Sequence, residues 1–202
     1  MALDTYSGLV TAVQNELHRS DLASYVPDWI TLAESRINKH LRVRAMETST
    51  SSTIAAGVVA VPSNYLSLKD AYITSTTPYV NLDRKTANWI YGNYPNRVAD
   101  STPGFIAREG SSFIFGPYPD ANYVVKLVYW ARLTALSSAL NSIFTNYPGL
   151  WLFGALCESA PWLKDDKRIA VWEVKFQDLI KQVQDEDDDE FLSGSVLRMT
   201  AE

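Results

Sequence analysis

Residues 26–53, VPDWITLAESRINKHLRVRAMETSTSST, contain the change of pattern that decides the fold. Pro27 suits a first helical turn, where its missing N–H would have no partner, and Asp28 complements the positive end of the helix dipole. Helical spacing of apolar residues continues to about residue 41, whereas the Ser/Thr run at 48–53 lacks it and is interpreted as a polar linker. The apolar stripe consists of Ile30, Ala33, Ile37 and Leu41.

Helical periodicity also appears at both ends of the chain. Residues 5–18 predict a first amphipathic helix upstream of this stretch. Near the other end, residues 146–163 predict a strongly apolar helix that Pro161 kinks or ends. A last helix is predicted from about residue 166 to residue 184, with apolar residues along one side.

The middle of the chain is rich in β-branched and aromatic residues. Residues 58–82 predict short strands separated by turns, and residues 84–92 predict a short helix. Residues 105–131 alternate between apolar and polar residues and are interrupted by two turns. We interpret this last stretch as an antiparallel meander of three strands.

The order of these elements predicts an α+β fold, in which a helical bundle built from N- and C-terminal helices carries an inserted antiparallel β subdomain. The bundle is expected to comprise residues 1–47 and 140–184, and the β-rich insertion residues 48–139. Residues 185–202 are expected to form an acidic C-terminal arm.

Composition limits the possible classes of protein. The chain has 202 residues, of which 47% are hydrophobic and 20% charged, which is typical of a globular domain. Its one cysteine, Cys157, excludes an internal disulfide and a multi-thiolate metal site. Because no apolar window of about 18 residues and no signal peptide can be recognised, we expect no membrane association and synthesis in a cytoplasm.

Negative charge is concentrated near the C-terminus. The formal net charge is -5, but residues 1–164 carry +1 and residues 165–202 carry -6. The run DEDDDE at 185–190 lacks the glycine and the alternating ligand spacing of a calcium loop. We interpret it as a solvated segment. The alternative is a docking arm, with the following FLSGSVLRM as apolar anchors that a partner orders.

No residue pattern indicates catalysis or cofactor binding. His18 and His40 lack a second imidazole or thiol at ligand spacing, so no metal site is expected. Cys157 lies in an apolar helix without an indicated base, which is typical of a buried inert thiol. No Gly-rich phosphate loop is present. We therefore predict no catalytic residue, metal or cofactor, and a protein that is not an enzyme.

Four cations lie at the end of the helix that begins near Pro27. At 100° per residue they do not form a single stripe, as a groove-reading helix would require. Arg36 lies on a semi-apolar side, where a guanidinium normally stacks or pairs with a carboxylate. A structural or interface role is favoured, and nucleic-acid binding is the alternative. The four cations are Arg36, Lys39, Arg42 and Arg44.

The β-rich region holds more aromatic residues than one thin sheet would bury. Two interpretations remain open: these rings belong to the core, or they contact a neighbouring copy or a partner, since Tyr and Trp are favoured at interfaces. The residues concerned are Trp89, Tyr91, Tyr94, Tyr118, Tyr123, Tyr129 and Trp130.

Five segments occur along the chain in this order: DLASYVPDWITLAESRINKHLRVR (21–44), VPSNYLSL (61–68), SFIFGPYPDANYVVKLVYWARLTALS (112–137), NYPGLWLFGALCESAPWLKDDKRIAVWEVKFQDLI (146–180) and SGSVLRM (193–199). Together they resemble the head-to-tail adaptor, or connector, proteins of tailed bacteriophages, particularly of short-tailed phages. The resemblance depends on their order and joint presence, because no single segment is a catalytic signature. One departure is the length of the acidic run before SGSVLRM.

The resemblance implies a structural protein of the virion, present as a ring of about twelve copies that meet through heterologous contacts. It implies binding under the portal protein and a platform for the tail or nozzle protein, with packaged DNA passing through without sequence-specific binding. It also implies two sets of functional residues. Those at a subunit interface or the channel are Arg36, Lys39, Arg42, Arg44, Trp89, Tyr91 and Tyr94. Those of the portal-binding arm are Phe191, Leu192, Val196, Leu197, Arg198 and Met199.

Overall fold

The structure, a computed structural model, describes residues 3–163 and 167–192, the last two of these by their backbone alone. It confirms the predicted α+β fold. The chain divides into two compact units: unit 1 comprises residues 1–45 and 133–202, and unit 2 comprises residues 46–132.

The described residues form six α-helices, three short 3₁₀ helices and eight strands. The helices are α1 (Tyr6–Leu17), α2 (Val26–His40), α3 (Ala87–Asn93), α4 (Ser142–Asn146), α5 (Pro148–Glu158) and α6 (Arg168–Leu192). The strands are β1 (Glu47–Thr53), β2 (Val58–Ala60), β3 (Tyr65–Ile73), β4 (Val80–Asn81), β5 (Asp83–Arg84), β6 (Phe105–Glu109), β7 (Ser112–Gly116) and β8 (Val124–Ala131). The 3₁₀ helices span Ser20–Tyr25, Arg44–Met46 and Ala160–Trp162.

Helix α5 is the centre of unit 1, where it packs against α1, α2 and α6. Its sequence is apolar almost all round, which is expected of a helix that contacts other helices on several sides. Gly154 lets α5 approach α2 closely, since an added Cβ would lie 2.9 Å from the Cβ of Ala33. The buried residues of α5 are Leu150, Trp151, Gly154, Ala155, Leu156 and Cys157.

Helix α6 is longer than the sequence predicted. We expected it to end near Gln184, with a solvated acidic segment beyond, but it continues to Leu192 and includes the whole of 185–190. Like charges at helical spacing repel one another, yet three of these acids have polar partners elsewhere in unit 1. These partners, which are distant in sequence, therefore offset part of the repulsion between neighbouring carboxylates, and the helix can continue through the acidic run.

The Ser/Thr run is a strand and not a linker. All seven residues of β1 pair antiparallel with β8, from Glu47 opposite Trp130 to Thr53 opposite Val124. A run of Ser and Thr lacks the alternation of apolar and polar residues that predicts a strand. Thr is nevertheless β-branched, and both residues tolerate extended backbone. The pairing with β8, which is distant in sequence, decides the conformation.

Unit 2 contains two four-stranded sheets, ordered β1-β8-β3-β4 and β2-β7-β6-β5. The predicted meander is therefore wrong in its last step. Strands β6 and β7 form a hairpin whose turn uses Gly110 at a φ of 57°, but β8 joins the other sheet, between β1 and β3. Alternation indicates that a segment is a strand without specifying which strand it pairs with.

The core of unit 2 draws buried side chains from both sheets. Phe113 and Phe115 of β7 belong to the same apolar cluster as Val125 and Leu127 of β8. Helix α3 covers the other face of the second sheet, where Ile90 packs with Ala107 and Ile114. Neither α3 nor any other described helix is both long and apolar enough to cross a membrane.

Candidate functional site

Arg36 connects three helices of unit 1. From α2 its guanidinium forms an ion pair with Glu158 of α5, at 3.5 Å, and a close one with Glu173 of α6. The same guanidinium lies 4.6 Å from the ring centroid of Phe176. Arg36 therefore acts as an internal cross-link, with its charge already paired within the unit.

The groups around Arg36 have shifted pKa values. Burial alone would raise the pKa of Glu173, but hydrogen bonds from Arg36 and Gln177 outweigh it and hold that pKa below its usual value. Burial, together with the charge of Glu173, raises the pKa of Cys157 to about 12. The thiol is therefore protonated at neutral pH and poorly suited to act as a nucleophile.

Arg44 holds the acidic end of α6. Its backbone N–H and its Nε donate to Oδ1 of Asp187, at 3.1 and 3.2 Å, and its Nη2 pairs with Oε2 of Glu190 at 2.6 Å. Nearby, Tyr147 donates its hydroxyl proton to Glu186, and this hydrogen bond raises the pKa of Tyr147 to about 12. The cationic Arg44 and the neutral Tyr147 thus bind three of the six consecutive acids.

The other two predicted cations are placed differently. Arg42 donates from Nη1 to the carbonyl of Asn38 at 2.7 Å, which caps the C-terminal end of α2. Lys39 is exposed and has no polar partner in the part of the chain that the structure describes. The four cations therefore do not converge on one surface. Phosphate binding at Arg36 or Arg44 would require replacement of a carboxylate, which disfavours the nucleic-acid alternative.

Two residues of α2, Glu34 and Asn38, position another segment of unit 1 and were not predicted from the sequence. Oε1 of Glu34 accepts the N–H of Leu136 at 2.7 Å, and Oδ1 of Asn38 accepts the N–H of Leu133 at 2.8 Å. Both therefore hold the segment 133–136 against α2. Burial raises the pKa of Glu34. Their i, i+4 spacing beside the apolar stripe was the only available signal, because the acceptor role depends on a segment about 100 residues away.

The aromatic residues of α3 divide between interior and surface. Trp89 packs edge to face on Phe105, with 4.7 Å between ring centroids, and Tyr94 also contacts it. Tyr91 is exposed and donates to Glu109 at 2.8 Å, a hydrogen bond that raises the pKa of Tyr91. Trp89 and Tyr94 therefore contribute to packing, whereas Tyr91 lies where a partner can reach it.

Several aromatic rings of unit 2 form cation–π contacts, which account for part of the excess of aromatic residues in this region. Five of the unit's seven Lys and Arg lie within 6 Å of a ring, while only Lys69 forms an ion pair with another described residue, Glu47. The pairs are Lys69 with Trp130, Lys85 with Trp89, Arg97 with Tyr118, Arg108 with Tyr65 and Lys126 with Tyr72.

A second aromatic cluster lies on unit 1. Tyr25 and Trp162 are 44% and 40% exposed, and each contacts the buried Trp29. Leu32, one turn further along α2, is 46% exposed. Large apolar groups concentrated on a surface are typical of contact sites.

The predicted portal-binding arm lies mostly beyond the described residues. Phe191 and Leu192 form the last backbone positions of α6. Val196, Leu197, Arg198 and Met199 lie outside the described residues. Within 3–163 and 167–192, no group of three or more His, Cys, Asp or Glu is placed to hold a metal ion.

Comparison with known proteins identifies the family. No curated protein was found to match the chain. A family model described as SU10 adaptor protein matches residues 4–199, which takes in both units and nearly the whole chain. The geometry agrees with a structural role, since Arg36 ties α2 to α5 and α6, and Arg44 ties the segment after α2 to α6. The chain belongs to the SU10 adaptor family, a family of phage head-to-tail adaptor proteins.

Proposed function

We propose that this protein forms a closed ring of about twelve copies under the portal, joins the DNA-filled head to the tail and lines the DNA exit channel. The family match over residues 4–199 carries the proposal, because it makes the protein a structural component of the virion. We also propose the copy number, the lining of the channel, and the contacts with the portal protein and with the tail or nozzle protein.

The surface of unit 1 supports association with a neighbour. A ring requires one patch of each copy to meet a different patch on the next copy. Tyr25 and Trp162 contact each other and form an exposed aromatic pair of the kind enriched at interfaces, and Leu32 is also exposed. Among the residues that sequence analysis assigned to the interface or channel, Lys39 and Tyr91 are exposed. Arg36, by contrast, would act indirectly, by holding α2 against α5 and α6.

The pairing of charges within the chain supports passage of DNA without retention. Firm contacts between cations and phosphates would slow movement along the channel. Arg36 and Arg44 already face carboxylates, so they offer little free positive charge. We propose no sequence-specific DNA binding and no catalytic reaction.

The C-terminal arm is proposed to reach the portal. The contact would be made by the mainly apolar residues that follow the acidic run, namely Phe191, Leu192, Val196, Leu197, Arg198 and Met199. A segment that becomes ordered on binding would delay assembly until the portal is present.

Native mass spectrometry and electron microscopy of the protein mixed with its purified portal test the proposal. We expect a closed ring on one end of the portal and no substrate turnover. A protein that stays monomeric and never associates with the portal would overturn the proposed ring. Neutralising Arg36, Lys39, Arg42 and Arg44 should leave the salt dependence of any DNA binding unchanged; a reduced slope would favour the nucleic-acid alternative.

A further inference from the structure

A groove between the two sheets of unit 2 is lined by cations without acidic partners. It has a volume of about 160 Å³, and Tyr65 and Phe113 line it with ring centroids 5.5 Å apart. Arg84, Lys85 and Arg108 also line it, and all three are exposed. No carboxylate of the described residues lies within ion-pairing distance of these three.

Backbone and ring contacts hold the two arginines of this groove in place. Arg84 donates from Nη1 to the carbonyl of Leu68, and Arg108 donates from Nε to the carbonyl of Gly110 at 3.1 Å. The guanidinium of Arg108 also lies 5.1 Å from the ring centroid of Tyr65. Each arginine keeps further N–H donors that no described group takes, so both are oriented to receive a carboxylate.

The acidic end of α6 carries carboxylates that lack cationic partners among the described residues. Asp185, Asp188 and Asp189 are exposed, and none has a cation within ion-pairing distance in the described part of the chain. Their i, i+3, i+4 spacing places them on one side of the helix, where like charges repel. Negative charge at a helix C-terminus also opposes the helix dipole. This end of the helix is therefore expected to gain stability from an external cation.

We propose that Asp185, Asp188 and Asp189 of one copy dock on the groove formed by Arg84, Lys85 and Arg108 of a second copy. The two patches differ, so the contact is heterologous, as a closed ring requires. The inference rests on the proposed ring and adds to it the surfaces that meet. A carboxylate that reaches Arg84 or Arg108 meets donors that are already oriented, which limits the entropy lost on binding.

Zero-length carbodiimide cross-linking tests the contact in the assembled protein. A portal-bound ring is prepared from equal amounts of ¹⁴N- and ¹⁵N-labelled protein. The reagent joins a carboxylate to the Lys85 amine only where the two touch. We expect mixed-isotope peptides that link Lys85 to one of the three aspartates. Links within one chain only, links of the aspartates to the portal, or no link in an intact ring would each overturn the inference.

Charge reversal gives a second, quantitative test. Asp185→Lys, Asp188→Lys and Asp189→Lys together, or Arg84→Glu, Lys85→Glu and Arg108→Glu together, should each weaken association about tenfold or more, and a mixture of both variants should restore it. Asp178→Lys on the same helix and Lys126→Glu on the same unit are matched controls that should assemble normally. If the groove variant fails to fold, Lys85→Glu alone and the cross-link decide.

Three outcomes distinguish failure of the inference from failure of the proposed function. Rings that form normally from either reversed variant would overturn the contact and leave the adaptor ring standing. Absence of any ring from the wild-type protein with its portal would overturn both. A groove variant that loses DNA affinity but assembles normally would assign the groove to phosphates and overturn the inference.

Discussion

Arg44 and Asp187 are joined by both the backbone and the side chain of the arginine, although they are 143 residues apart in sequence. The N–H of Arg44 donates to one carboxylate oxygen at 3.1 Å, and its Nε donates to the same oxygen at 3.2 Å. This arrangement ties the segment that follows α2 to the C-terminal end of α6. The position of the acidic run therefore depends on a residue that sequence analysis had considered for DNA contact.

Arg44→Ala should loosen the end of α6. The substitution removes the guanidinium that pairs with Asp187 and Glu190, so repulsion within 185–190 is less compensated. Because these pairs are partly exposed, we expect a loss of only about 1 kcal/mol in the free energy of unfolding. Hydrogen exchange of residues 185–192 should become faster. Lys39→Ala is the control, and equal protection in both variants would contradict the prediction.

Arg36→Met should destabilise unit 1 and remove an acid-sensitive contribution to stability. Glu173 has a lowered pKa in the folded state, so its contribution is present above the usual pKa and is lost as the pH falls through the lowered value. In Arg36→Met this part of the pH dependence should disappear. Chemical denaturation between pH 3 and pH 7 measures it. Glu158→Gln, which leaves the Arg36–Glu173 pair intact, should retain the wild-type pH dependence.

Glu34→Gln should preserve the fold while changing the pH dependence in the opposite sense. Burial raises the pKa of Glu34, so its ionised form costs stability, and the folded protein gains stability as the pH falls through the raised value. Gln keeps an oxygen for the N–H of Leu136 and carries no charge. We expect unchanged or greater stability at pH 7, measured by thermal unfolding. Glu34→Ala loses the acceptor and should cost about 1 kcal/mol; equal effects of Gln and Ala would refute this.

Gly154→Val should disrupt the contact between α5 and α2. Even a Cβ would lie 2.9 Å from that of Ala33 and 3.1 Å from the ring of Phe176, so a larger side chain must push the helices apart. Overpacking of this kind costs about 1–3 kcal/mol. Gly92→Ala in α3 is the matched control, because an added Cβ there meets nothing within 4 Å. The two melting temperatures should move differently; a neutral Gly154→Val would contradict the close approach.

Periodicity predicted α1, α2 and α6 because each has an apolar side that its own sequence shows, whereas the short helix α4 was not predicted. Helix α2 begins at Val26, beside Pro27, as predicted. The partners of the candidate residues could not be predicted. Arg36 was correctly expected to stack or pair with a carboxylate, but Glu158 and Glu173 could not be identified, because no local spacing relates residues that are more than 100 positions apart.

The amino-acid order by itself determined the α+β class, the apolar stripes of the helices, the β hairpin around Gly110 and membership of the adaptor family. These features depend on neighbours along the chain or on the joint presence of segments. Only the tertiary structure decided that Thr48–Thr53 pair with β8, that β8 leaves the hairpin's sheet and that α6 continues to Leu192. Each depends on hydrogen bonds or charges contributed by residues far away in sequence, and their energies do not appear in any local pattern.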